Sequence, residues 1–274
     1  MYKGFELKIL SSDLDLPSCC APITYYKPKP DGVSIISGCK NLVKRAIHKH
    51  LLDATGTING NEIENLWFPK NELPKFQVFL SHSHNDEALA VTIAEILQER
   101  LHINVFIDSL VWGFRDNLID LLYQNISLNK SLGSKEIYLS ICAHVDCMLT
   151  KSLIEMMDSC ECLLFLNTPT SVSAEGSVKR THSPWIYAEL EASRFLRSHF
   201  DATRTPTQRK QRYLFNEKQA ADYINIDYNL PQHLNTLLPK EFKDWLWEAR
   251  DKSGFEALDV LYKLVPIAPE TTML

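Results

Sequence analysis

Trp185 and Glu189 stand four residues apart, directly after Ser183-Pro184, and this stretch carries the clearest chemistry in the chain. A serine at the N-cap and a proline at the first helical position predict a helix start. Both side chains then share one helix face. Upstream lies the apolar run Cys162-Leu-Leu-Phe-Leu-Asn167, a candidate buried strand. A strand leading through a loop into a helix with an aromatic ring and a carboxylate is where an open α/β sheet builds a ligand site. The carboxylate can stabilise developing positive charge and the indole can cover a flat ring. By spacing alone, the pair reads more simply as a core tryptophan and a solvated glutamate.

Other constellations carry less. His82-x-His84 with Asp86 offers too few ligands for a zinc site, and no CxxC pair supports one. Cys142, His144, Asp146 and Cys147 supply a thiol, an imidazole and a carboxylate, but no spacing that orients a base. Neither GxGxxG nor GxxxxGK[ST] occurs, so neither a Rossmann dehydrogenase nor a P-loop NTPase is supported. Arg204, Arg209, Lys210 and Arg212 read as a solvated loop. With a net charge of −5, nucleic acid is not the expected partner.

The elements that must position Trp185 and Glu189 begin at Phe76-Gln-Val-Phe-Leu80, read as a buried strand. Ser81-His-Ser-His-Asn-Asp86 follows as a polar loop, with Ser83 and Asp86 placed as a capping box. A helix over 86–101 spaces Leu89, Ile93, Leu97 and Leu101 four apart, and Ile103-Asn-Val-Phe-Ile-Asp108 forms the next strand. Strand, helix and strand in this span make a βαβ unit and hence a parallel sheet. A loop over 109–113 leads to a helix over 114–123. Residues 124–145 are ambiguous, with an extra strand over 136–142 as one option. A helix over 146–158 precedes the strand at 162–166. Residues 168–182 read as a mobile loop, and 213–215 and 223–228 as further strands. In the tail, Phe242, Trp245, Leu246 and Ala249 form one apolar stripe and Phe255, Leu258, Leu261 and Tyr262 another. Near the N-terminus a helix over 41–52 sets Leu42, Val43, Ala46, Ile47, Leu51 and Leu52 against a basic, solvated face.

Length and composition bound the rest. At 274 residues, 45% of them apolar and 23% charged, the chain is one large soluble domain or one domain with extensions. No apolar run suits a signal peptide or a membrane span. Seven cysteines without a secretion signal predict reduced thiols and a cytoplasmic location.

Three stretches, in order, resemble a TIR (Toll/interleukin-1 receptor) domain. Phe76-Gln-Val-Phe-Leu-Ser-His-Ser-His-Asn-Asp86 is similar to its first strand and loop, and Ile103-Asn-Val-Phe-Ile-Asp108 to the strand before its BB loop. Residues 152–167 with Ser183-Pro-Trp-Ile-Tyr-Ala-Glu-Leu190 resemble its middle helix, third strand and S-x-W-x-x-x-E-L helix. The resemblance implies a flavodoxin-like parallel five-stranded α/β sheet with helices on both faces. It divides the chain into an N-terminal extension (1–72), a TIR-like domain (73–230) and a C-terminal helical extension (231–274). The family contains adaptors that act through TIR–TIR contacts and enzymes that cleave NAD at the nicotinamide–ribose bond. The enzymes carry a glutamate at the position of Glu189, which makes this chain a candidate NAD glycohydrolase or ADP-ribosyl cyclase. The alternative is a non-catalytic interaction module. On this reading Glu189 is catalytic, and Ser81, His82, Ser83, His84, Asp108, Trp112, Phe114, Arg115 and Trp185 contact substrate. NAD is the substrate; no cofactor or metal is implied. Several of the enzymes have basic residues where this chain has Ser83-His84. The chain looks like free-standing bacterial TIR proteins of antiphage defence, which implies a homo-oligomer assembled through the BB loop, with an activating partner possible.

Overall fold

The computed structural model describes residues 3–14, 43–47, 49, 58–68, 73–108, 115–126, 134–175, 178–196 and 227–266. The strands are β1 (Lys3–Leu7), β2 (Val78–Ser81), β3 (Val105–Phe106), β4 (Cys162–Leu166), β5 (Ser173–Glu175), β6 (Val178–Thr181), β7 (Tyr228–Asn229) and β8 (Asn235–Leu237). The helices are α1 (Gly60–Trp67), α2 (Glu87–Leu101), α3 (Arg115–Ile126), α4 (Ser134–Ser159), α5 (Pro184–Phe195), α6 (Pro239–Glu248) and α7 (Phe255–Leu264). Five strands form a parallel sheet in the order β3-β2-β4-β1-β8, and β5-β6-β7 form a small antiparallel sheet.

The central strands are apolar throughout because both faces are covered. In β4, Cys162, Leu164 and Leu166 join one core cluster and Leu163 and Phe165 the other. The first cluster packs under α2, α6 and α7; the second under α1, α3, α4 and α5, with Val43, Ala46 and Ile47. The result is a three-layer α/β/α arrangement, as the sequence predicts.

The source of the strands differs from expectation. Residues 1–72 do not stand apart from the sheet: β1 lies inside it, between β4 and β8. Phe5 and Leu7 are fully buried, while Glu6 points to the other face, where Lys179 reaches its two carboxylate oxygens at 2.5 and 2.7 Å. Asn167 and Thr236 donate to the same carboxylate. Gly4 permits a close approach here, since a Cβ would sit 2.6 Å from Leu234 Cδ2. Residues 231–274 likewise supply the edge strand β8 as well as two helices.

Local readings are corrected in four places. Residues 134–159 form one helix, α4, with no strand over 136–142, because Ile137, Ile141, Val145, Leu149 and Leu153 recur every four residues and bury one face. That helix is long and apolar enough to cross a membrane, but this face packs on the core. Residues 168–182 are not simply a loop; they hold the β5–β6 hairpin. The strand expected at 103–108 is paired only over Val105–Phe106. Ser83 caps a short 3-10 turn over His84–Asp86, its Oγ accepting from Asn85 N at 3.2 Å, and Asp86 does not complete a capping box. The predicted strand at 213–215 and most of that at 223–228 lie outside the described residues; Tyr228 is the first residue of β7.

Candidate active site

The site follows from register. Phe79 of β2 pairs with Phe106 of β3. Two residues further along β2 stands Ser81, which by the period-two alternation of a strand falls on the face of Phe79. Asp108 lies two residues beyond the end of β3, where the chain has already turned helical. Ile107, between Phe106 and Asp108, belongs to the opposite core cluster, in keeping with that alternation.

Helix α5 covers this face. Ser183 Oγ accepts from Ile186 N at 3.3 Å and Pro184 occupies the first turn, as the sequence predicts. Ile186, Glu189, Leu190 and Ser193 are all buried, at the three- and four-residue spacing of an inward stripe. Glu189 is therefore not solvated. It is 7% exposed, on the inner side of α5, and it interacts with Asp108 and Ser81. Trp185 is half-buried against the core cluster on this side of the sheet.

The location is a topological switch point. The chain leaves β2 towards α2 on one face of the sheet and leaves β4 towards α5 on the other, and at such a point an open α/β sheet places its ligand crevice. The two lips are tied across it. Thr168 and Thr170, in the loop after β4, each donate to Asp86 Oδ2 at 2.5 Å. Sequence reasoning did not assign these threonines a place, and no local pattern marks a partner 82 residues away.

Among the described residues, the Glu189 carboxyl has a second acid, Asp108, as its charged neighbour. Burial pushes the Glu189 carboxyl up to about 8, the Asp108 charge adds to the rise, and Ser81 tempers it. Ser81 is 2% exposed, yet its Oγ makes no hydrogen bond of ordinary geometry among the described residues. A buried hydroxyl without a partner beside a buried carboxyl is costly to leave empty. The arrangement suits a ligand that brings positive charge and hydroxyl groups together.

The remaining predicted contacts are placed as follows. His82 is half-buried, one residue beyond β2, and His84 is exposed. Ser83 is turned to its own cap. Arg115 forms a two-pronged ion pair with the buried Asp146 of α4 and also binds Asp116 at 2.8 Å. Trp112 and Phe114 lie outside the described residues. Among the described residues, His82, His84 and Asp86 do not converge on a metal position. Nor do Cys142, His144 and Asp146 assemble a nucleophilic thiol, since Asp146 is held by Arg115 and His144 is exposed. Burial pushes the Cys160 thiol up to about 12 and the Cys162 thiol higher still, which keeps both as inert core groups.

Compared with known proteins, the chain matches no family model, no curated protein and no solved structure.

Proposed function

We propose that the protein cleaves the nicotinamide–ribose bond of NAD. The observation that carries this reading is the buried Glu189 carboxyl, held with Asp108 and Ser81 at the carboxyl ends of β2 and β3. Expelling nicotinamide from NAD leaves an oxocarbenium-like ribose. The leaving group departs neutral and needs no acid. The site must instead hold the ribose hydroxyls and oppose the growing positive charge, and one carboxylate can do both. Glu189 takes that role, with Ser81 as a hydroxyl partner and the Trp185 indole limiting water at the ring. Water attack then gives ADP-ribose and a proton; attack by the substrate's own adenine gives a cyclic product.

The strand arrangement supports the same reading. The run β3-β2-β4 matches the first three positions of a flavodoxin-like sheet, with β1 and β8 in the fourth and fifth. The resemblance to TIR enzymes supplies the further proposals of a cytoplasmic protein in antiphage defence, working as a homo-oligomer. The test is direct. Purified protein incubated with NAD should release nicotinamide and linear or cyclic ADP-ribose in equal amounts. No nicotinamide at any protein concentration would remove the enzyme reading and leave the interaction module.

A further inference from the structure

We infer that Lys179, aimed by Glu6, binds the diphosphate of a dinucleotide, one subsite along the sheet from Ser81 and Glu189. The dinucleotide rests on the NAD reading above; the anion subsite does not.

Strand register sets the two subsites in one row. Ser81 of β2 and Glu6 of β1 both stand opposite Phe165 of β4, on either side of it. All three lie on the face that α5 covers. Phe79 and Phe165 belong to the cluster under α5, while Phe5 and Leu7, the neighbours of Glu6, belong to the opposite one. Two strand spacings, about 10 Å, separate Ser81 from Glu6. Thr236 of β8 continues the row. Strand β6 reaches this row through Lys179 and then runs directly into α5, where the backbone N–H of Ser183 donates to Thr181 Oγ1 at 3.1 Å. Lys179 and Glu189 therefore come to the same sheet face from one continuous stretch of chain.

The bonding around Glu6 decides which of the pair is open to a ligand. Asn167, Lys179 and Thr236 fill the four acceptor positions of the carboxylate, Lys179 touching both oxygens. Glu6 is buried and has nothing left to offer. Lys179 differs. Its side chain is 34% exposed, and the two contacts to Glu6 leave at least one ammonium N–H without a partner among the described residues. Lys151 on α4, by contrast, is held between two carboxylates, Glu64 and Glu155. Along β6, Lys179 and the buried Thr181 turn to one side, while Arg180 and the next residue, His182, meet Asp227 on the other. Lys179 is thus the cation that β6 turns towards the sheet. An ammonium fixed from within by a saturated carboxylate is a preset donor to an anionic oxygen. The span from Ser81 to Glu6 suits a ribose that carries a diphosphate: with the ribose at Glu189 and Ser81, the phosphates extend towards Lys179. Glu6 is then a positioning residue.

The test uses the full chain in two arms. In the first, carbon-13 at the lysine ε-carbons of the wild type is followed by NMR, with the Lys179 signal identified by its loss in Lys179→Arg. ADP-ribose should move that signal saturably, and adenosine should leave it in place. An unmoved signal overturns the inference and leaves the ion pair as a pin between hairpin and sheet. Equal movement by inorganic pyrophosphate also overturns it, since the site would then serve the free anion. In the second arm, cleavage of NAD is compared with cleavage of nicotinamide riboside, which has no diphosphate, in the wild type and in the double variant Glu6→Gln/Lys179→Met. Removing both charges together leaves no buried carboxylate unpaired. The preference for NAD over the riboside should fall about tenfold or more, through KM rather than kcat. A loss shared equally by both substrates overturns the inference. If the wild type cleaves neither substrate, the NAD reading fails, and the lysine signal alone decides whether Lys179 holds a nucleotide diphosphate. The same signal decides if the double variant does not fold.

Discussion

Replacing Glu189 by glutamine should stabilise the protein at neutral pH. The carboxyl titrates at about 8 in the folded chain against an ordinary value of 4.5. Between those values the folded state keeps a proton that the unfolded state has released. Unfolding therefore gains about 1.4 kcal/mol of advantage per pH unit as pH rises through that window. Stability associated with Glu189 is intact below the unfolded value and is lost progressively up to about 8. By about pH 7 the loss is about 3 kcal/mol. Glutamine has the same shape and no charge to desolvate, and its amide can meet the Ser81 hydroxyl and the Asp108 carboxylate. The assay is urea unfolding of both proteins from about pH 4.5 to 8.5, taking the difference so that other titrating groups cancel. The variant should gain nothing at the acid end and about 3 kcal/mol near neutrality. A difference that stays flat to within about 0.5 kcal/mol, or that runs the other way, would refute the placement of an uncompensated carboxyl at this position.

Three further expectations concern the frame around the site. Lys179→Met should cost about 3 kcal/mol in a chemical melt, because it leaves the Glu6 carboxylate buried within β1 without its cation. Gly4→Ala should lower stability by about 1 kcal/mol, the new methyl meeting the movable end of Leu234; an unchanged melting curve would place β1 further from Leu234. Ser183→Ala should cost about 1 kcal/mol by removing the cap of α5, and should weaken nicotinamide release more than that loss explains if the cap fixes the pitch of Glu189.

What the sequence disclosed depended on the range of the interactions involved. The start of α5 was readable because a serine cap and an N1 proline act within one turn. Strands β2 and β4 were readable because burial on both faces leaves uninterrupted apolar runs. Strand β1 was not. Lys3-Gly-Phe-Glu-Leu7 alternates like a surface strand, and nothing local announces that Lys179, Asn167 and Thr236 will satisfy Glu6. An extra strand over 136–142 was one option for an ambiguous stretch, and burial of one face at a four-residue period makes it helix instead. The same division runs through the site. Glu189 and Trp185 form a sequence pattern, whereas the approach of Ser81 to Glu189 arises from the packing of α5 over the end of β2. The tie from Asp86 to Thr168 and Thr170 is longer-range still.

The most direct measurement is nicotinamide release from NAD by the wild type and by Glu189→Gln, side by side, over a range of pH and protein concentration. The account predicts that the wild type releases nicotinamide with a rate that climbs towards pH about 8, and that the variant, fully folded, is slower by about 10²-fold or more at that pH, the gap narrowing as pH falls. Equal rates in the two proteins, or no nicotinamide from either, would contradict it.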